Sequence, residues 1–114
     1  MKRILGIAFL IFLATGAAAQ TSLPIGFSHH ASERLVERHI RRAWVIHVLR
    51  MPDWTEPDKQ KASVHQAYGR IDDAHGQILR VVYTEVGDRE LVITEFFDRA
   101  AARRAPVSSR GAGK

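Results

Sequence analysis

The chain has 114 residues, of which 46% are hydrophobic and 25% charged, with a formal net charge of +5 and no cysteine. This length allows one domain with one modest core. The absence of cysteine excludes disulfides, thiol catalysis and zinc–thiolate sites, so the fold must depend on packing alone.

The positive charge lies at the two ends of the chain. Of the 17 Lys and Arg residues, Lys2 and Arg3 stand near the N-terminus and four more follow Ala102, so residues 20–102 carry eleven basic and twelve acidic side chains. A nucleic-acid-binding domain carries its basic face on the fold itself. Only residues 28–50, with five Arg against two Glu, give a local indication of such a face.

The first nineteen residues have the pattern of a secretory signal peptide. Two basic residues precede an uncharged apolar run at 4–14, and three alanines at 17–19 are the small residues that a signal peptidase recognises. The sequence predicts cleavage between Ala19 and Gln20 and a periplasmic or secreted protein. Such a run is too short to cross a hydrocarbon core of about 30 Å as a helix, so no stable membrane anchor is expected. An uncleaved anchor and a misassigned start codon are the alternatives.

The first part of the predicted domain is helical. Residues 20–26 form a lead-in that has room for an edge strand. Ser28 is the predicted N-cap of a helix at 29–38. A second helix is predicted at 42–50, where apolar residues recur at helical spacing, and Pro52 ends it.

The second part of the chain changes to the pattern of strands. The polar stretch 53–61 is predicted to be a loop. Three strands joined by Asp- and Gly-containing turns follow, at residues 64–71, 78–86 and 91–97. We expect a short helix at 98–104 and a disordered tail at 105–114. The predicted fold is α+β, with two N-terminal helices packed on a three-stranded antiparallel sheet.

Three side chains on the first predicted helix form the main candidate site. His30, Arg34 and Arg38 recur every four residues, so they share one helix face. One imidazole and two guanidiniums suit the binding of a phosphate or carboxylate, with His30 as a general acid or base. The alternative is a solvated face that forms salt bridges with Glu33, with Glu37 or with the sheet. The spacing alone leaves both interpretations open.

Arg80 is unusual because it lies inside an apolar predicted strand. We expect its guanidinium to reach the sheet edge or to meet a buried acid, Glu95 or Asp98. Asp98 is also predicted to cap the short helix after it. Strand alternation places Tyr83 on the opposite face of the sheet.

The sequence predicts no metal ion and no other cofactor. The chain has six histidines, but His29 and His30 are adjacent and diverge by about 100° around a helix. The other four lie on separate predicted elements with no carboxylate at ligand spacing. The histidines therefore do not indicate a metal site.

Several short motifs, taken in order, resemble a known family. Residues 27–40 resemble the H-A-x-x-R…E-R-G-I opening of the domain-of-unknown-function family 4258, although His39 stands where that family usually has glycine. We expect the backbone at this position to be left-handed. Residues 70–83 resemble the hairpin of the family, and residues 94–99 resemble its closing T-x-F-F-D-R motif. The resemblance covers residues 27–104, which we take as one domain.

The resemblance implies a likeness to the RelE/ParE toxin superfamily, and to BrnT-like ribonucleases in particular. It implies a RelE-like fold and a metal-free ribonuclease that is held by a small antitoxin-like protein partner. The positions that match carry candidate catalytic residues at His30, Arg34, Arg38 and Arg80 and candidate binding residues at Asp98 and Arg99.

Export contradicts that activity, because the periplasm of the producing cell holds no RNA target for such a toxin. The sequence therefore predicts an exported domain that binds rather than catalyses. The main alternative is a metal-independent ribonuclease toxin with RNA as its partner. That toxin would be an exported effector, or cytoplasmic if the start codon is misassigned. A hydrolase of unnamed substrate is a third interpretation.

Overall fold

The computed structural model describes residues 23–106. The predicted signal peptide, its cleavage site at Ala19 and Gln20, and residues 107–114 of the predicted tail lie outside the described residues. Within the described part, no helix is long and apolar enough to cross a membrane. The elements in chain order are β1 (Ile25–Phe27), α1 (His29–Glu37), α2 (Arg42–Arg50), β2 (Trp54–Pro57), β3 (Val64–Ile71), a 3₁₀ turn (Asp72–Ala74), β4 (Gln77–Val86), β5 (Arg89–Phe97) and α3 (Ala101–Arg104).

The sheet has five strands in the order β1-β5-β4-β3-β2. The strand β1 pairs with β5 in parallel, whereas the other neighbours are antiparallel. The predicted RelE-like arrangement, with two N-terminal helices on a three-stranded antiparallel sheet, is therefore wrong. The two edge strands are only three and four residues long, too short to show a period of two in the sequence.

The helices are also placed differently from the prediction. Because β1 precedes α1 and belongs to the sheet, the helices connect the two edge strands instead of forming an N-terminal pair. Helix α1 contacts β5 and β1, and helix α2 contacts β3 and β4. The fold remains α+β, and its short C-terminal helix is present as α3.

Ser28 fixes the start of α1 to the sheet. Its hydroxyl oxygen accepts a hydrogen bond from the backbone N–H of Ala31 at 3.0 Å, which confirms the predicted N-cap. The backbone N–H of Ser28 also donates to the carbonyl of Val92 at 3.0 Å, and its hydroxyl donates to the carbonyl of Ile93 at 3.2 Å. One residue thus joins β1, α1 and β5.

The turn between the two helices contains a left-handed residue. His39 has φ 54°, which confirms the backbone expected at this position. The turn brings the N–H of Ile40 to 2.9 Å from the carbonyl of Leu35, and both side chains are buried. The His39 conformation therefore allows an apolar residue to enter the core directly after the helix.

The main core lies between the helices and one face of the sheet. Its buried residues come from α1, α2 and the three central strands, and they include Ala31, Leu35, Val45, Val48, Ala67, Leu79, Val81 and Val92. Tyr83 packs against this core, on the side opposite Arg80, as predicted. Helix α2 approaches β3 closely at Gly69, where an added Cβ would lie 2.9 Å from Val48 Cγ2.

Within residues 23–106, the second face of the sheet is covered only at one end. Register places Trp54, Tyr68, Arg80 and Phe96 side by side in one row across β2, β3, β4 and β5. Helix α3 packs over this row through Ala101, which is buried with Tyr68 and Ile78. The rest of this face, which we call the open face, is available for a site.

Candidate functional site

The open face carries a cleft of about 500 Å³ between the end of β2, the strands β3 and β4, and the last residue of α3. Its lining residues are Glu56, Pro57, Asp58, Lys59, Gln60, Gln66, Arg80 and Arg104. Most are polar or charged. The cleft therefore presents hydrogen-bonding groups and charges of both signs.

Glu56 is the centre of the hydrogen-bond network in the cleft. Its Oε2 accepts from Trp54 Nε1 and from Arg104 Nε, both at 3.1 Å. Its Oε1 lies 3.0 Å from the Tyr68 hydroxyl and 3.4 Å from Arg104 Nη2. Partial burial works to raise the pKa of Glu56, but the hydrogen bonds from Arg104, Trp54 and Tyr68 outweigh it and lower that pKa. Glu56 is therefore held ionised at neutral pH.

Tyr68 is fully buried beneath the cleft, and its ring stacks on Trp54 with a centroid distance of 4.6 Å and an interplanar angle of 1°. Its hydroxyl lies 3.1 Å from Gln66 Oε1 and accepts from Arg104 Nη2 at 3.0 Å. Burial, and then the neighbouring Glu56 carboxylate, raise the pKa of Tyr68. The phenol consequently stays protonated and acts as a fixed hydrogen-bonding group.

Asp58 shapes the loop that follows β2. Its Oδ2 accepts from the backbone N–H groups of Gln60 and Lys61, both at 3.0 Å, and its Oδ1 accepts from Gln66 Nε2 at 2.9 Å. The bonds from Lys61 and Gln60 lower the pKa of this carboxyl. Asp58 therefore holds the rim of the cleft in place as an ionised acceptor.

Arg80 crosses the floor of the cleft between two aromatic rings. Its guanidinium carbon lies 5.6 Å from the centroid of Tyr68 and 5.2 Å from that of Phe96. Its Nη1 donates to Asp98 Oδ2 at 3.0 Å, so the predicted buried partner is Asp98 and not Glu95. Asp98 Oδ1 also accepts from the N–H of Ala101, the first residue of α3, although the N-cap position itself is held by Ala100 and not by Asp98 as predicted.

Residues 27–96 match the family model described as a domain of unknown function, DUF4258. The chain belongs to the DUF4258 family. No curated protein and no solved structure matches the chain. Within this DUF4258 domain, the matched residues include Glu56, Tyr68 and Arg80 of the cleft, whereas Arg104 lies beyond them. The likeness to RelE/ParE toxins stays a prediction.

The structure does not bring the predicted helix row into the cleft of the DUF4258 domain. The side chain of His30 is exposed and forms no hydrogen bond or ion pair among residues 23–106. Arg34 pairs with Glu37 on its own helix, as the solvated-face alternative expects. Arg38 Nη1 donates to the backbone carbonyl of Glu95 at 2.8 Å, at the edge of β5. This row therefore lies apart from the cleft.

Arg38 and Arg99 have surroundings that differ from those of the cleft residues. Arg38 reaches around the sheet edge to Phe96, whose centroid is 5.8 Å from its guanidinium carbon, so Arg38 and Arg80 flank the same ring. Arg99 is exposed and lines a separate cavity of about 70 Å³ next to Asp98. Of the six predicted side chains, only Arg80 lines the cleft.

Sequence reasoning missed Glu56, Asp58, Gln66, Tyr68 and Arg104. The residues of β2 were assigned to a loop, although Trp54 and Glu56 alternate with exposed neighbours as a strand requires. Pro57 is compatible with this position because β2 is an edge strand. Four residues are too few for this alternation to be distinguished from a loop in the sequence, so no local signal identifies the strand.

Glu95 lies on the opposite face of the sheet, in the main core. Its side chain is fully buried, and neither carboxyl oxygen has a hydrogen-bond partner within the described residues. Burial raises its pKa to about 7, even though the charges of Arg38 and Arg42 act to lower it. Glu95 is therefore a buried acid that the cleft does not use.

No group of three or more His, Asp or Glu side chains between residues 23 and 106 is arranged to hold a metal ion. The carboxylates of the cleft are engaged instead with Arg104, with Gln66 and with backbone N–H groups.

Proposed function

We propose that this DUF4258 domain is an exported binding domain and that its ligand site is the cleft on the open face. The observation that carries the proposal is the ordered hydrogen-bond network of the cleft, in which Glu56 contacts Trp54 Nε1, the Tyr68 hydroxyl and Arg104 Nε at 3.0–3.1 Å. The pKa values of Glu56 and Asp58 are lowered and that of Tyr68 is raised. Efficient proton transfer needs a group whose pKa lies near the working pH. The cleft therefore offers fixed charges and hydrogen bonds, which favours binding over catalysis.

The arrangement of the cleft supports the same conclusion, because its side chains are held before any ligand arrives. Tyr68 is fixed by stacking on Trp54, and Arg104 is fixed by its contacts with Glu56 and with the Tyr68 hydroxyl. Groups that are already ordered lose little conformational entropy on binding. This is the property expected of a ligand site.

Export is proposed from the signal-peptide pattern of residues 1–19. We expect the protein recovered from the producing cell to begin at Gln20 and to be found in the periplasmic or secreted fraction. Intact-mass measurement of the native protein checks this. Recovery of a chain that begins at Met1 in the cytoplasmic fraction would contradict export and would favour the ribonuclease alternative.

Binding is tested with ¹⁵N-labelled protein and a fragment library that contains anionic, cationic and neutral compounds. We expect fragments whose chemical-shift changes are confined to the cleft. Glu56→Gln should weaken their binding at least about tenfold, because it removes the charge and replaces one of the two acceptor oxygens that orient Arg104 and Tyr68 by an NH2 donor. Glu85→Gln, at an exposed position on β4, is the matched control and should leave binding unchanged. A library with no hit in the cleft would contradict the proposal.

One observation favours the ribonuclease alternative. The cleft combines an ionised carboxylate at Glu56, a phenol at Tyr68 and two nearby guanidiniums, which are the groups needed to activate a hydroxyl and stabilise a phosphorane-like transition state. The same variants decide between the two functions. Cleavage of single-stranded RNA that is lost in Glu56→Gln and kept in Glu85→Gln would replace the binding proposal. An antitoxin-like partner belongs to this alternative.

A further inference from the structure

The carboxylates that line the cleft have little hydrogen-bonding capacity left. Glu56 accepts two bonds at each of its two oxygens. Asp58 accepts three bonds, two of them from backbone N–H groups. An ionised carboxylate offers about four lone-pair sites. A cationic ligand would therefore find about one free acceptor site on Asp58 and would have to displace an existing bond at Glu56.

The cationic side chains of the cleft, in contrast, retain unused donors. Arg80 donates only through Nη1, and its buried Nε has no hydrogen-bond partner among the described residues. Arg104 donates through Nε and Nη2, and its side chain is 42% exposed. Lys59 is exposed at the rim and makes no ion pair with any residue that the structure describes. The free hydrogen-bonding capacity of the cleft is thus mainly that of donors.

The charges around the cleft are balanced before a ligand binds. Lys59, Arg80 and Arg104 stand against Glu56 and Asp58 at its surface, and against Asp98, which pairs with Arg80 beneath it. The cleft therefore has no net negative charge that would repel an anion. The oxygens of a ligand with one or two negative charges can accept hydrogen bonds from the unused N–H groups. The aromatic rings beside Arg80 lower the local dielectric, which strengthens a charge-assisted hydrogen bond there.

From this inventory we propose that the cleft binds an oxyanion, carboxylate or phosphate, between Arg80 and Arg104, with Lys59 at its rim. The proposal rests on the proposed function, because it names the ligand class of the same cleft. A guanidinium suits this ligand because the arms of its planar fork that remain free, Nη2 of Arg80 and Nη1 of Arg104, can donate charge-assisted hydrogen bonds to the oxygens of the ligand. Carboxylate and phosphate both present such oxygens, and the experiment separates them.

The test is a titration of the ¹⁵N-labelled protein at constant ionic strength with two probes, succinate and inorganic phosphate. We expect shifts in the loop after β2 and at Arg80 and Arg104. Arg104→Gln should weaken the binding of the favoured probe at least about tenfold, because a charge-assisted bond is lost. Arg103→Gln is the matched control, since it removes the same charge from the neighbouring exposed position of α3, and it should leave the affinity within about twofold.

A second variant keeps the test decisive if removal of a guanidinium disturbs the fold. Arg80→Lys retains the charge and the partner for Asp98 but loses the fork, so we expect a loss of affinity of about tenfold with an unchanged thermal unfolding curve. Equal weakening in Arg103→Gln and Arg104→Gln would show nonspecific attraction and overturn the inference. Cleft binding by neutral or cationic fragments only would also overturn it while the binding function stands. If no fragment of any charge binds in the cleft, both the oxyanion inference and the proposed binding function are contradicted.

Discussion

Raising the pH from about 5 to about 9 is expected to cost the native state roughly 3 kcal/mol through one side chain, Glu95. The pKa of this acid is about 7 in the folded protein, against 4.5 as its ordinary value. The native state therefore keeps the proton of Glu95 at pH values where the unfolded chain has released it. The contribution of Glu95 to the free energy of unfolding is fully present below pH 4.5 and is lost as the pH rises through 7. Above that pH it no longer changes.

Denaturant unfolding of the wild-type protein and of Glu95→Gln across this range measures the effect. The amide has no proton to lose, so we expect the two proteins to differ little at low pH and the variant to be more stable by about 3 kcal/mol at high pH. Glu56 and Asp58, whose pKa values are lowered, act in the opposite direction at acidic pH in both proteins and cancel in the comparison. A difference that does not change with pH would contradict the burial of an unpaired carboxyl.

Gly69→Ala is expected to destabilise the protein by about 1–3 kcal/mol, because the new methyl group would lie 2.9 Å from Val48 Cγ2 in a closely packed contact between α2 and β3. For a domain of this size, each kcal/mol lowers the unfolding temperature by roughly 4–8 °C. The measurement is thermal unfolding followed by circular dichroism.

The matched control for this substitution is Gly26→Ala on β1, where the nearest atom would be 3.7 Å from the added Cβ, an ordinary contact. We expect it to change stability much less. In the double variant Gly69→Ala with Val48→Ala, the smaller helix side chain makes room for the methyl group, so the two losses should be less than additive. Equal losses in both glycine variants, or strict additivity in the double variant, would refute the close approach of α2.

The long elements were predictable because each carries its own periodic signal. The helices at 29–38 and 42–50 and the strands at 64–71, 78–86 and 91–97 were placed within a few residues of their observed bounds. The edge strands were not, because Ile25–Phe27 and Trp54–Pro57 are too short for a period to show. Without these two strands, the predicted sheet had three antiparallel strands, whereas the observed sheet has five strands and is mixed.

The residues of the cleft are brought together by long-range contacts that the sequence pattern does not show. Glu56 faces Gln66 only because β2 pairs with β3. Arg104 reaches Glu56 only because α3 folds back over the same side of the sheet, next to the open face. Neither relation is visible in local spacing, whereas the helix row of His30, Arg34 and Arg38 is. The charge partner of Arg80 could be narrowed to Glu95 or Asp98, of which Glu95 lies on the opposite face of the sheet, beside Val81. Long-range pairing of edge elements is thus what the sequence pattern lacked.

The pairing of β1 with β5 has a consequence for the order in which the chain can fold. The partner of Ile25 is Glu90, so the first strand pairs with the last one and helix α1 packs mainly on β5. A chain that leaves the ribosome or a translocation channel N-terminus first therefore exposes the apolar side of α1 until residue 97 has emerged. The local hairpins of β3, β4 and β5 can form early, whereas closure of the sheet by β1 is a slow, late step of high contact order.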